Sequence, residues 1–100
     1  MKLINGLIAF LMMIGSQVSA FDTADLQKLN DTGNCVACDL EGADLTGAYL
    51  RNVILTRSNL RNVNLSGANL KAADLGYALM NGAILCNTIM PDGSVIYSGC

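Results

Sequence analysis

The 100-residue chain contains no histidine, no tryptophan and only one proline. Histidine is the usual general base at neutral pH and the commonest metal ligand, so its absence disfavours an enzyme, a metal site and a bound cofactor. The 6 lysines and arginines stand against 8 acidic residues, giving a net charge of −2. No broad basic surface is available to neutralise phosphates, and we therefore expect no nucleic-acid partner.

The first twenty residues have the features of a cleavable export signal. Lys2 supplies a positive start, residues 3–14 (LINGLIAFLMMI) form an apolar run, and residues 18–20 (VSA) have the small-x-small pattern of a cleavage site. The alternative, an uncleaved membrane anchor, needs about 20 apolar residues, and this run is shorter. We expect a mature protein that begins at Phe21, is not inserted in the membrane, and lies in the periplasm or outside the cell.

From residue 38 onward, leucine or methionine recurs at every fifth position. A helix spaces its apolar residues by three and four and a strand by two, so a spacing of five fits neither as a long element. Two residues before each of these positions stands a side chain no larger than valine, and the residue between them is often Asp or Asn, which favour tight turns. The predicted core positions are Leu40, Leu45, Leu50, Leu55, Leu60, Leu65, Leu70, Leu75, Met80, Leu85 and Met90.

A spacing of five is typical of a coil that turns through a right angle once per unit. Four units then make a square coil of about twenty residues, and stacked coils pair their backbones at about 4.8 Å, with residue n beneath residue n+20. Inward leucines leave room only for small residues in the second register, because protein interiors are filled to crystal-like density. The sequence therefore predicts a solenoid with one narrow core.

Residues 38–75 (CDLEGADLTGAYLRNVILTRSNLRNVNLSGANLKAADL) resemble the pentapeptide-repeat family, whose pattern is a small residue, Asp or Asn, Leu and two variable positions. The resemblance extends over residues 38–90. It implies an all-β fold, a right-handed quadrilateral β-helix of under three coils. Some larger, acidic members of the family resemble duplex DNA and inhibit topoisomerases, but this chain is shorter and carries an export signal, so we do not expect that activity.

A solenoid needs a cap at each end, and the chain has a candidate for both. A short helix near residues 24–30, capped by Asp22 or Thr23 and ended by Gly33, is expected to cover the first coil. A turn at residues 90–93 stops the repeat, and the tail is expected to fold back beside the outward apolar residues of the last coil. The predicted organisation is a signal peptide in residues 1–20, an N-terminal cap in residues 21–37, the repeats in residues 38–90 and a capping tail in residues 91–100. Five outward positions that depart from the family pattern are apolar: Tyr49, Ile54, Leu79, Ile84 and Ile89.

Four cysteines in a small exported chain favour two disulfides. Cys38 and Cys86 lie 48 positions apart in the sequence. In coils of twenty residues that separation is roughly 11.5 Å along the axis, too far for a bond. We expect Cys35 to pair with Cys38 and Cys86 to pair with Cys100. The alternative is a small exported thiol–disulfide redox protein that uses the CxxC pair Cys35 and Cys38. Zinc is disfavoured, since only one pair has ligand spacing.

The charged residues suggest surfaces rather than catalytic sites. Asp39, Glu41 and Asp44 form an acidic cluster that could serve glycoside hydrolysis only in a cleft, so we expect a solvated face. The basic residues are expected on different sides of the square, except for Lys71, which lies beneath Arg51. The predicted function is an exported non-enzymatic scaffold or protein-binding module, with another protein of unknown identity as its partner and no prediction of oligomeric state. The candidate contact face is Tyr49, Arg51, Ile54, Arg57 and Tyr77.

Overall fold

The structure is a computed structural model that describes residues 21–100. The predicted signal peptide lies outside the described residues. The first element, helix α1 (Thr23–Thr32), begins one residue earlier and ends two residues later than the sequence predicts. Its N-cap is Asp22, whose carboxylate accepts hydrogen bonds from the N–H groups of Ala24 and Asp25, and its C-cap is Gly33 with φ 70°.

Helix α1 covers the first layer of the solenoid. Its Leu26 and Leu29 are fully buried against the core. Two hydrogen bonds join the helix to the first coil: the N–H of Asp22 donates to the carbonyl of Asp39, and the N–H of Asp39 donates to Oδ2 of Asp25. The helix is therefore a lid that closes the N-terminal end of the core.

After the helix, the chain winds in coils of twenty residues. Each isolated bridge is parallel and joins residue n to residue n+20. The pairing begins at Asn34, four residues before the position at which the fivefold pattern becomes readable in the sequence. The bridges are Asn34 with Ile54, Asp39 with Asn59, Asp44 with Asn64, Tyr49 with Asn69, Ile54 with Asp74, Asn59 with Leu79, Asn64 with Ile84 and Asn69 with Ile89.

Each corner of the coil is a turn with one residue of positive φ. In the first full unit, the N–H of Ala43 donates to the carbonyl of Leu40, and Gly42 between them has φ 74°. That sign of φ at the third position is the one that a type II turn requires. The same sign recurs at every fifth residue: Ala37, Gly42, Gly47, Asn52, Arg57, Asn62, Gly67, Ala72, Tyr77, Gly82 and Asn87.

Where Asp or Asn precedes the frame leucine, it stabilises the corner that follows. Its side-chain oxygen accepts a hydrogen bond from the backbone N–H two residues later; for Asn64 and the N–H of Ser66 the distance is 3.0 Å. This is the local bond by which Asp and Asn favour turns. The residues that make it are Asp39, Asp44, Asn59, Asn64, Asn69 and Asp74.

The inward leucines form layers whose burial differs. Every frame position from Leu40 to Leu70 is fully buried, whereas Leu75, Met80, Leu85 and Met90 pack against the core but stay partly exposed. The small inward register admits two hydroxyls, and both are satisfied. Ser58 Oγ donates to the carbonyl of Cys35, and Thr88 Oγ1 donates to the carbonyl of Leu65.

The C-terminal tail pairs with two consecutive sides of the last coil, on either side of the corner at Asn87. Strand β1 (Leu85–Ile89) pairs antiparallel with strand β2 (Val95–Ser98), and the chain reverses at a turn in which the N–H of Gly93 donates to the carbonyl of Met90. Of the outward apolar residues of the last coil, Leu79 and Ile84 remain exposed. The tail therefore folds back as expected but leaves part of the last layer uncovered.

Candidate functional site

The CxxC pair lies inside the core. Cys35 occupies a leucine position of the fivefold frame and Cys38 occupies the next small position, and their exposed fractions are 0% and 3%. The two sulfur atoms are bonded, with Cα atoms 5.4 Å apart. Ser58 Oγ accepts a hydrogen bond from the N–H of Cys38 and donates one to the carbonyl of Cys35, so it holds both ends of the CxxC segment.

This burial weighs against a redox role. Thiol–disulfide exchange needs a thiolate to reach a sulfur atom, and an accessible, activated cysteine is typical of the oxidoreductases that use a CxxC pair. Here both sulfurs lie beneath helix α1 and within the backbone ladder, since the N–H of Cys35 donates to the carbonyl of Ile54. The arrangement favours a structural bond over the redox alternative.

The second disulfide joins the tail to the last coil. Cys86 is bonded to Cys100, with Cα atoms 4.8 Å apart. Cys86 is partly exposed and Cys100 is exposed, so this bond is open to solvent, unlike the first one. The structure thus contains the two pairings that the sequence predicts, in contrasting environments.

The acidic cluster serves the turns. Asp39 and Asp44 accept hydrogen bonds from the N–H groups of Glu41 and Thr46, and Asn59 Nδ2 donates to Glu41 Oε1 at 3.1 Å. These carboxylates lie on the outer surface of the coil rather than across a cleft. Within residues 21–100, no group of three or more Cys, Asp or Glu side chains is placed to hold a metal ion.

Four of the five candidate contact residues surround one side of the square. Ile54 lies at its middle, Arg51 lies at the preceding corner with Lys71 beneath it, and Arg57 lies at the following corner with Tyr77 beneath it. We call these five residues the Ile54 side. They include three of the five basic residues of residues 21–100. The sequence predicted that the basic residues lie on different sides of the square, apart from the stacked pair of Arg51 and Lys71. In the structure, Arg51, Lys71 and Arg57 lie at the two corners of one side.

The fifth candidate, Tyr49, lies on the neighbouring side, in the column of Asn69 and Ile89. It is exposed by 51%. Within the described part of the chain, Arg57 and Tyr77 make no ring contact. The two residues share a column, a placement that would permit a cation–π contact, but Tyr77 projects into solvent and is exposed by 87%.

Sequence reasoning missed a second surface, the C-terminal end of the core. We call it the open end and define it by the partly exposed Leu75 and Met80, together with the unpaired backbone beside them. The sequence did carry a signal for it, since Pro91 stops the repeat before a third coil is covered. The tail was expected to close that end, but its pairing is confined to strand β1.

No helix among the described residues is both long and apolar enough to cross a bilayer.

The sequence resemblance to the pentapeptide-repeat family is confirmed by comparison with known proteins. The family model for pentapeptide repeats matches residues 34–71 in 8 copies, beginning at the residue where the structure begins to pair. No curated protein matches the chain.

One solved structure similar to the chain is that of HetL, a pentapeptide repeat protein involved in heterocyst differentiation regulation from the cyanobacterium Nostoc sp. strain PCC 7120. The two sequences are 28% identical, and the match covers 63% of this chain and 43% of HetL, with a TM-score of 0.28. This chain therefore spans less than half the length of HetL.

Proposed function

Because this chain is a pentapeptide-repeat protein, we propose that it is an exported, non-enzymatic scaffold that binds another protein through the Ile54 side. The observation that carries the proposal is the backbone of Tyr77. Its φ is 59°, in the left-handed region that costs an L-residue roughly 1–2 kcal/mol. A bulky aromatic residue in that conformation, 87% exposed, gives the fold nothing in return.

The chemistry of the Ile54 side suits a protein partner. Tyrosine and arginine are enriched among the residues that dominate binding energy at protein interfaces. The flanking Arg51, Arg57 and Lys71 favour a partner that presents carboxylates, and Ile54 favours an apolar contact at the centre. Asp74 beneath Ile54 does not cancel this charge, since it is one carboxylate among three cations.

Export is supported by the two disulfides, because such bonds persist in oxidising compartments. The proposal places the protein in the periplasm or outside the cell. Sequencing the N-terminus of exported material is expected to find Phe21. Intact chain from Met1 in washed membranes would contradict it.

The proposed solenoid is the right-handed quadrilateral β-helix of the family. The square cross-section is supported by four five-residue units per twenty-residue coil. The handedness is supported by a general preference, since crossovers between parallel strands of one sheet are right-handed in almost every protein.

The test separates binding from folding with one substitution. Tyr77→Asn removes the aromatic ring and puts at this φ a residue that tolerates it, as Asn62 does at the same position of its unit. We expect the melting temperature of the variant to stay equal or rise. We expect the same variant to lose a protein that the wild type captures from the envelope fraction.

The matched control is Tyr49→Asn, which removes the same ring from the neighbouring side. This variant is expected to capture the partner as the wild type does. Identical captured proteins for the wild type and both variants would refute a role for the Ile54 side. A large fall in stability for Tyr77→Asn would show that the ring has a structural role.

A further inference from the structure

The two disulfides differ in what surrounds them. Cys35 and Cys38 are buried, and Sγ of Cys35 lies 3.3 Å from the carbonyl oxygen of Asp25 in helix α1. Cys86 is only partly buried, and Cys100 is exposed. Thiol–disulfide exchange begins when a thiolate reaches one of the two bonded sulfurs, and exposed disulfides are the labile ones in proteins. Of the two bonds, only the second is therefore open to attack in the folded protein.

The tail has little besides this bond to hold it. Among residues 92–100, Ile96 is half-buried and every other residue is exposed. Strand β2 has four residues, and its pairing with β1 is irregular between Cys86 and Thr88. A short strand with so little apolar contact does not offset the conformational entropy that is lost when the tail is ordered. The bond between Cys86 and Cys100 therefore decides whether the tail stays on the last coil.

The last coil does not depend on the tail in the same way. The carbonyl of Cys86 accepts a hydrogen bond from the N–H of Gly67 in the coil above, at 2.9 Å. The carbonyl of Pro91 accepts one from the N–H of Ala72, also at 2.9 Å. Beyond Pro91, the described chain pairs with the last coil alone. Release of the tail therefore ends at Pro91 and leaves the coils intact.

We propose that the bond between Cys86 and Cys100 is a thiol–disulfide exchange site, at which the dithiol of an oxidoreductase releases the tail while the bond between Cys35 and Cys38 stays closed. A thiolate of the reductant attacks Sγ of the exposed Cys100 and forms a mixed disulfide there, and Cys86 leaves as a thiolate. The second thiol of the reductant, as a thiolate, then attacks its own partner sulfur in that mixed disulfide and displaces the thiolate of Cys100. Two electrons pass to the protein, the two protons of the dithiol end on Cys86 and Cys100, and the reductant is left as a disulfide.

The exchange changes what the last layer presents. With the bond closed, strand β2 covers the edge of residues 85–89. With the bond open, that edge is uncovered as well, so the open end grows from Leu75 and Met80 to include Leu85 and Met90. The coil above holds Cys86 in place as a free thiol. The bond is thus a redox-sensitive control on access to the final layer of the core. This inference goes beyond the proposed function, because it does not involve the Ile54 side.

Gly99 lets the tail approach the last coil closely enough for the bond to form. Its φ is 83°, and a Cβ at this position would lie 3.3 Å from Cγ2 of Ile84. The left-handed backbone and the close approach both belong to the docked tail only. Alanine at this position therefore disfavours the docked tail and leaves the released tail unaffected. The substitution tests the switch without changing a cysteine.

The test equilibrates the purified exported protein, without denaturant, in buffers of reduced and oxidised dithiothreitol. Free thiols are alkylated and located by mass spectrometry. We expect a range of buffers in which Cys86 and Cys100 are both labelled while Cys35 and Cys38 stay bonded. In that range the circular dichroism of the solenoid is expected to be unchanged, while the NMR amide signals of Val95–Ser98 move to the positions of an unfolded peptide.

Gly99→Ala is expected to lower, by about fivefold or more, the ratio of reduced to oxidised dithiothreitol at which half of the second disulfide is open. Gly47→Ala is the matched control, since Gly47 also has a positive φ, 69°, but a Cβ there would meet nothing within 4 Å. This variant is expected to open at the wild-type ratio. A double variant, Cys86→Ser with Cys100→Ser, is expected to give the NMR spectrum of the released tail with no reductant present.

Opening of both disulfides at the same ratio would overturn the proposal, because exchange would then require unfolding. Loss of the circular dichroism of the solenoid as Cys86 and Cys100 open would overturn it as well, since the bond would then hold the whole fold. Unchanged amide signals of Val95–Ser98 after reduction would show that the tail stays in place without the bond. Equal ratios for Gly99→Ala and Gly47→Ala would contradict the close docking on which the switch depends.

Discussion

Leu40, Leu60 and Met80 occupy the same inward position in successive coils. Truncating two of them therefore tests how much burial alone contributes to stability. Leu60 lies between the other two and has an exposed fraction of 0%, whereas Met80 closes the column at the open end and is partly exposed. We expect Leu60→Ala to destabilise the fold far more than Met80→Ala. The two changes remove side chains of similar size from equivalent positions.

The magnitudes follow from the two environments. Truncating a fully buried leucine to alanine costs about 2–5 kcal/mol, since it removes apolar contact and leaves a closed cavity. For Met80→Ala we expect roughly 1–2 kcal/mol, because part of the side chain is already in water and no closed cavity forms. A domain of this size is stable by about 4–12 kcal/mol, so Leu60→Ala removes a large share of the total.

The assay is urea denaturation followed by circular dichroism, with the disulfides oxidised. Unfolding free energies are compared once the slope of free energy against urea concentration has been found to be the same for the wild type and both variants. Equal losses for the two variants would refute the reasoning, because they would show that the last layer is covered in solution. A loss below about 1 kcal/mol for Leu60→Ala would show that the fivefold frame is misassigned.

Three further predictions concern local features. Cys100→Ser removes the disulfide between Cys86 and Cys100 and is expected to lower the unfolding free energy by about 3 kcal/mol. After mild reduction of the wild type, alkylation is expected to label Cys86 and Cys100 before the buried Cys35, as detected by mass spectrometry. Simultaneous labelling of all three would contradict the assigned burial. Asn69→Ala removes the acceptor for the N–H of Lys71 and is expected to cost about 1 kcal/mol by urea denaturation, with no change if the corner bond is absent. Two hydrogen bonds from Ser94, one from its hydroxyl and a weaker one from its N–H, hold the pKa of Asp92 below its ordinary value of 3.8. The ionised carboxylate therefore stabilises the turn above pH 3.8, and this stabilisation is lost as the pH falls through the lowered pKa. NMR titration of Asp92 checks the direction, and an ordinary or raised pKa would contradict it.

Much of the fold could be predicted because the repeat is local. The bond from the N–H of Ser66 to Asn64, the turn after Leu40 and the inward leucine all lie within a few residues of one another. A spacing of five therefore encodes one corner, and repetition builds the coil. The helix was predictable for the same reason, since Asp22 and Gly33 mark its ends by their own backbone preferences.

The candidate site was only partly predictable. The columns follow from counting in twenties, so the position of Lys71 beneath Arg51 could be predicted. Counting did not show that Arg51 and Arg57 flank a single side, because the positions of the corners depend on where each turn falls. The burial of Cys35 was also missed, since the pairing that makes it a core residue starts at Asn34, before the readable pattern.

The sequence by itself predicted the export signal and determined the period of the coil, the inward register and the pairing of the cysteines. Each of these structural features depends on residues that are close in the chain or separated by whole coils. The tertiary structure alone decided how the stack ends. Leu60 and Met80 obey the same local pattern, and only the presence or absence of a neighbouring layer makes one buried and the other partly exposed. Burial at an end depends on where distant segments lie in the folded chain. Helix α1 lies across the first layer, whereas strand β2 pairs only with residues 85–89 of the last one. A repeat of five residues contains no information about which layer is the final one.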